Sequence, residues 1–285
     1  MKFSFLSYQF CRFPLEYCFE MAQKHGFDGV EVWGARPHAY AYDMDRDAVG
    51  AVNGWKKRYG VEVSMFTPEI LAYPYSLVSR SGKEFEETVA YLTRSVEVAA
   101  GIGARYMQIT APHPGYRIDR KAVWNQLVEG VGRLCDRAAG LGVDVLMESL
   151  TPSEGNLITT AGDLKALIDE VGSPALKGML DLVPPVVANE PFSEYFWALG
   201  DRMAYVHLCN SDGATEYHSQ LDDAGGVIPM EELFLLLKRQ GYDGWCSLEL
   251  LAPYFKDPEL YLIQAARVLE RICASLGITN NFSKA

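Results

Sequence analysis

Four short apolar runs in the second half of the chain each end in a side chain that can bind a metal. They are Val145-Leu146-Met147-Glu148, Gly178-Met179-Leu180-Asp181, Ala204-Tyr205-Val206-His207 and Cys246-Ser247-Leu248-Glu249. A run of this length bounded by turn signals reads as a fully buried strand. Its last residue then stands at the strand's C-terminal end. In an eight-stranded β/α barrel all such ends open onto one face, where catalytic groups gather. The four ends would bring two Glu, one Asp and one His together. Three carboxylates and an imidazole suit one divalent cation such as Mn²⁺, Co²⁺, Mg²⁺ or Zn²⁺.

The remaining sequence supplies the barrel. Strands are predicted over 2–7, 28–33, 61–66, 105–110, 143–148, 176–181, 203–208 and 245–250. Helices are predicted over 14–26, 45–58, 83–100, 120–140, 160–171, 191–199, 229–239 and 258–276. Thr160 is placed to cap its helix, and Pro229 and Gly241 bracket another. Strands alternating with helices imply a parallel sheet. An open doubly wound sheet rarely needs eight such units, so the expected fold is α/β, a (β/α)8 TIM barrel. Gly26-Phe27-Asp28-Gly29 and Gly241-Tyr242-Asp243-Gly244 echo each other before strands two and eight. No Pro/Ser-rich linker interrupts the chain, so residues 1–285 are expected to form a single domain. That length suits a barrel of roughly 250 residues with small extensions.

Charge and cysteine usage narrow the function. Lys and Arg number 26 against 37 Asp and Glu, a net charge of −11. A general nucleic-acid binder needs a basic surface, so no nucleic-acid partner is expected. Cys11, Cys18, Cys135, Cys209, Cys246 and Cys273 include no C-x-x-C pair and sit mostly in apolar context. They read as reduced thiols of a cytoplasmic protein. No signal peptide is expected, and no uncharged apolar run is long enough to span a membrane.

Taken singly, Glu148, Asp181 and Glu249 read equally well as exposed or structurally paired acids, and His207 as a hydrogen-bonded structural histidine. Together they close strands five to eight, and chain order in a barrel is spatial order. Carboxylates clustered there repel one another by several kcal/mol unless a cation intervenes. A metal so held is a Lewis acid for the adjacent carbonyl and hydroxyl oxygens of a ketose. A Glu on each face of the substrate could remove one proton and return another. Return to the opposite face of the same carbon is epimerisation. Return at the neighbouring carbon is aldose–ketose isomerisation. The residues alone do not choose between the two.

Further stretches carry a family resemblance: Gly29-Val30-Glu31-Val32-Trp33-Gly34-Ala35-Arg36-Pro37-His38-Ala39, Thr67-Pro68-Glu69 with Tyr73-Pro74-Tyr75, Glu148-Ser149-Leu150-Thr151-Pro152-Ser153-Glu154, Ser211-Asp212-Gly213-Ala214, and Tyr242-Asp243-Gly244 leading to Glu249-Leu250. Over nearly its whole length the chain resembles the sugar isomerase/epimerase family built on the xylose-isomerase-like barrel. That family also holds ketose 3-epimerases, hydroxypyruvate isomerase and endonuclease IV. The resemblance implies that Glu148, Asp181, His207 and Glu249 bind the metal. Glu148 and Glu249 would double as the acid/base pair, and Glu154 would contact substrate hydroxyls. It implies a small-molecule sugar or sugar-amine substrate, either a ketose or a fructosamine such as fructoselysine.

Three departures bear on the substrate. Ketose 3-epimerases carry a His at the position of Pro184 and an Arg at that of Gly213, and a Pro-Gly-x-Gly loop replaces residues 220–226. These weigh against a simple ketohexose as substrate and mark 220–226 as a lid of different shape. Trp33, Arg36 and His38 follow strand two on the same face, where the Trp could stack on a sugar. His113 follows strand four as a candidate substrate or supporting contact. His218 is open between a lid position and plain surface, and His25, in a helix tail, is given no function. Tyr73 and Tyr75 could shape a rim or a subunit contact, which leaves a homo-oligomer open. An endonuclease IV-like nuclease would need more than five His and a basic groove. A non-catalytic sugar-binding barrel would have no use for both Glu148 and Glu249.

Overall fold

Eight parallel strands close on themselves in sequence order, with β1 paired to β8. The computed structural model describes residues 1–251 and 256–282. The strands are β1 (Lys2–Leu6), β2 (Gly29–Gly34), β3 (Glu62–Pro68), β4 (Tyr106–Ile109), β5 (Asp144–Met147), β6 (Leu176–Asp181), β7 (Met203–Leu208) and β8 (Trp245–Leu248). The helices are α1 (Leu15–Lys24), α2 (Arg46–Tyr59), α3 (Gly82–Ile102), α4 (Arg120–Ala139), α5 (Ala161–Val171), α6 (Val183–Ala188), α7 (Phe192–Leu199), α8 (Met230–Arg239) and α9 (Pro258–Leu276). This is the expected TIM barrel.

Local chemistry sets these boundaries. The Thr160 side chain and Asp163 form a reciprocal capping box at the start of α5. Asp45 and Asp119 cap α2 and α4 by accepting backbone N–H bonds. Gly26 and Gly241, the two ends of the echo, both adopt left-handed φ (75° and 66°), which a side chain would oppose. One helix was not expected. α6 follows β6 at once, with Pro184 and Pro185 in its first turn, where a missing N–H costs nothing.

Both faces of the sheet are covered, so strands such as Met203–Leu208 are buried along their full length. The larger core lies between sheet and helices. A smaller cluster of Met65, Leu146, Met179, Ala204, Tyr205 and Trp245 fills the barrel's interior. The Tyr205 hydroxyl rises from it to lie 2.8 Å from Ser64 Oγ, 3.2 Å from Ser4 Oγ and 3.1 Å from Glu31 Oε2. Small serines around one large tyrosine form a floor, and polar groups collect above it.

Candidate active site

Glu148 directly follows β5, Asp181 ends β6, His207 lies near the end of β7, and Glu249 directly follows β8. Strand register aligns them: Asp181 pairs with His207, and His207 with Ser247. The ladder extends one residue further, because the N–H groups of Glu148 and Glu249 donate to Ile109 and Leu208 carbonyls. Each of the four side chains offers one ligand atom, and all four atoms lie within 4.8 Å of one another.

The centre of the cluster is His207 Nδ1. It stands 2.9 Å from Glu249 Oε2, 3.1 Å from Glu148 Oε1 and 3.6 Å from Asp181 Oδ2. On its other side, His207 Nε2 lies 3.1 Å from both oxygens of Glu31. A carboxylate on Nε2 fixes its N–H there and turns the Nδ1 lone pair toward the three remaining carboxylates. A lone pair among carboxylate oxygens is repulsive, and a single N–H could satisfy only one of the three. A divalent cation bound by Glu148, Asp181, His207 and Glu249 resolves both problems, so the donor set fits such an ion.

Electrostatics report the same conflict. Burial pushes the Glu148 carboxyl up to about 8, against the opposing pull of His207. Glu249 is raised by burial as well. Burial also works against ionisation of Asp181, yet the charges of His218 and His207 hold it below the usual carboxylate range. His207 is raised despite its burial, because Glu249 and Glu31 favour its charged form. The cluster thus holds more negative charge than two imidazoles can balance.

Three participants were not singled out from sequence as site groups. Glu31 was noted only within the Gly29–Ala39 stretch that carries the family resemblance. It is fully buried, accepts from Thr67 Oγ1 at 2.6 Å, and orients His207. His218, open between lid and surface, is buried and lies 3.1 Å from Asp181 Oδ2 and 3.4 Å from Glu249 Oε2. An antiparallel bridge between Asn210 and Ser219 folds the loop after β7 back and delivers it there. Gln108, on β4, donates from Nε2 to Glu148 Oε2. The signal available for Glu31 was a charge inside a strand buried on both faces; for His218 there was only its residue type.

A cavity of about 340 Å³ meets the cluster. Glu148, Asp181 and Glu249 form part of its wall, with Trp33, Glu69, Glu154, Glu216 and His218. Trp33 is held by its indole N–H, which donates to Glu69 Oε2 at 3.0 Å. Glu154 accepts from the Thr151 hydroxyl at 3.2 Å.

The other expected contacts lie elsewhere. Arg36 points outward, where Asp43 accepts two bonds from its guanidinium at 2.6 and 2.8 Å. His38 is drawn beneath the rim by Ser7 Oγ and the Phe10 and Phe13 carbonyls, and burial lowers its pKa, keeping the ring neutral. The His113 ring lies in an adjoining groove with Tyr73, Tyr75 and Arg80. Only its backbone reaches toward the site, donating to the Glu154 carbonyl at 2.6 Å. Residues 220–226, expected to form a lid, add nothing to the cavity wall. Asn210 ties them down by donating to the Leu221 carbonyl and accepting from the Ile228 N–H, and a Cβ on Gly226 would collide with its side chain at 2.3 Å.

Residues 19–272 match the family described as the xylose isomerase-like TIM barrel. The chain belongs to that family. It is 34% identical over 265 residues to fructoselysine 3-epimerase of Escherichia coli O157:H7, covering 93% of this chain and 94% of that protein. Among solved structures, a D-tagatose 3-epimerase-like protein superposes with a TM-score of 0.83 at 18% identity, covering 97% of this chain and 98% of that one. D-psicose 3-epimerase from Clostridium cellulolyticum H10, solved with D-tagatose, gives 0.78 at 19% identity, covering 95% and 98%. The protein is an enzyme of the isomerase class.

Proposed function

We propose that the protein is a divalent-metal-dependent sugar epimerase that inverts the carbon next to a keto group, at C3 of a ketose or of a fructosamine such as fructoselysine. One observation carries the reading: three carboxylate oxygens converge on a single imidazole nitrogen whose ring is held from behind by a fourth carboxylate. Glu148, Asp181, His207 and Glu249 would hold the cation, with Mn²⁺, Co²⁺, Mg²⁺ and Zn²⁺ all compatible with the donors. When bound, such a cation offsets negative charge developing on the keto and hydroxyl oxygens as the neighbouring C–H is lost.

The chain's own residues do the rest. Glu148 and Glu249 approach from strands three apart in the barrel, so they reach the substrate from different sides. One removes the C3 proton, and the other returns a proton to the opposite face. Without a cation, burial raises both carboxyls above their usual range. Gln108 and His218 hold these carboxylates in place. Trp33 and Glu154 line the cavity as candidate contacts to the sugar's C–H face and hydroxyls. The six free cysteines suit a cytoplasmic enzyme. Among the described residues, no helix is long and apolar enough to cross a membrane.

The test is exchange of the C3 proton in heavy water, with fructose and fructoselysine as substrates and Mn²⁺ present. Deuterium at C3 with inversion is the expected result. Deuterium at C1 or C2 instead would make the enzyme an aldose–ketose isomerase. No exchange with either substrate would remove the epimerase reading.

A further inference from the structure

The cavity wall is chemically one-sided. No Lys or Arg lines it among the described residues. Beyond the metal-binding carboxylates it carries Glu69, Glu154 and Glu216. Acids alone would say little, but the three differ in what already satisfies them. Glu69 accepts from the Ala72 N–H at 2.9 Å and from Trp33 Nε1. Glu154 accepts from Thr151. Glu216 Oε2 is buried with no hydrogen-bond partner, and the nearest cationic group, His218 Nδ1, lies 3.8 Å from Oε1, beyond hydrogen-bond reach.

Two further polar groups on the same wall lack partners. Thr110 Oγ1, on a residue only 5% exposed, has none, and neither has His218 Nδ1, on a residue 3% exposed. Buried polar atoms are nearly always hydrogen-bonded, so unmatched ones around a cavity mark where a ligand's polar groups belong. Burial raises the Glu216 carboxyl, with Glu154 and Asp181 adding to the rise, against the pull of His218 3.8 Å away, and an ammonium hydrogen-bonded to Oε2 would favour its ionised form. A phosphate or carboxylate ligand would add negative charge to a wall already lined by acids. A protonated amine would supply positive charge and N–H donors.

We propose that Glu216 is the specificity-determining residue of this site, selecting sugars that carry a protonated amine over neutral ketoses and over sugar phosphates. This rests on the epimerase reading for turnover but not for binding. The ammonium donates to Glu216 Oε2, with Glu154 alongside, while the sugar hydroxyls meet Thr110 and the cation site. A charge-assisted hydrogen bond of this kind contributes about 1.5–3 kcal/mol, roughly a 10- to 150-fold preference.

The experiment compares wild type, Glu216→Gln and Glu216→Asp, each loaded with Mn²⁺. The first readout is Kd for glucamine and for glucitol, an isosteric pair of non-reacting polyols that differ by an ammonium and a hydroxyl. Wild type is expected to favour glucamine at least tenfold. Glu216→Gln should abolish that preference while leaving glucitol within about twofold, and Glu216→Asp should retain part of it. The second readout is kcat/KM for fructoselysine and for fructose, where Glu216→Gln should lower the first at least tenfold and spare the second. Equal affinity of wild type for glucamine and glucitol would overturn the proposal. So would equal loss on both ligands in Glu216→Gln, which would make Glu216 a general structural group. If neither sugar is turned over, the epimerase reading fails, while the polyol pair still decides the role of Glu216.

Discussion

Replacing Glu31 by Gln tests whether His207 is a metal ligand oriented from behind. The Glu31 carboxylate faces His207 Nε2 at 3.1 Å from both oxygens, accepts from Thr67 Oγ1 at 2.6 Å, and lies 3.1 Å from the Tyr205 hydroxyl. The charge of His207 and these hydrogen bonds overcome full burial and hold Glu31 below the usual carboxylate range. Gln keeps one acceptor, so the His207 tautomer survives. It removes the negative charge that strengthens Nδ1 as a donor, and it sets an N–H₂ group against Thr67 or Tyr205. Loss of a carboxylate behind a ligating histidine typically costs 10- to 100-fold in metal affinity, or about 1.4–2.8 kcal/mol. The assay is calorimetric titration of metal-free protein with MnCl₂, with thermal melting of the metal-free form alongside. Weaker binding by at least tenfold is expected. If Glu31 were only the partner of a buried imidazolium, Glu31→Gln would lower the melting temperature and leave affinity within about twofold, which would refute the reasoning.

The other expectations concern the proton transfers, the ion and the rim. Glu148→Gln and Glu249→Gln should each lower kcat by at least about 10²- to 10⁴-fold, the usual contribution of a positioned acid or base; full activity in either would take that residue out of the mechanism. Chelation with EDTA should abolish turnover and lower the melting temperature by about 5 °C, since an ion at about 100 times its Kd stabilises by about 2.7 kcal/mol; unchanged activity after verified metal removal would count against the cation. Metal affinity should rise between about pH 6 and pH 8, at least about tenfold per unit, because burial raises Glu148 to about 8, neighbouring carboxylates raise His207, and binding must displace both protons; calorimetry in buffers of different ionisation enthalpy would show no proton release if that is wrong. Arg36→Ala should leave kcat/KM within about twofold and stability within about 1 kcal/mol, because the Arg36–Asp43 pair is solvent-exposed; a large loss of kcat/KM would return Arg36 to the substrate.

What could be read from the sequence followed from strand ends. Glu148, Asp181, His207 and Glu249 each terminate an apolar run, and a parallel barrel leaves one place for such ends to meet. Glu31 escaped because β2 is buried on both faces, so alternation along Val30-Glu31-Val32 does not say which face is wet and which is the barrel interior. His218 and Glu216 lie in a loop without periodicity, and their placement depends on the bridge from Asn210 to Ser219. Arg36 and His38 were expected at the mouth because they follow β2. Local partners decided otherwise: Asp43 draws one outward, and the Phe10 and Phe13 carbonyls draw the other beneath the rim. Helix α6 was hidden by its two prolines, which read as breakers unless they fall in a first turn.

Anomalous diffraction at the manganese edge, on crystals grown with Mn²⁺, tests the central claim most directly. A single strong peak is expected, coordinated by Glu148, Asp181, His207 and Glu249, with Glu31 still against His207 Nε2. Full-occupancy manganese at some other position, or none at the barrel mouth at saturating concentration, would contradict it.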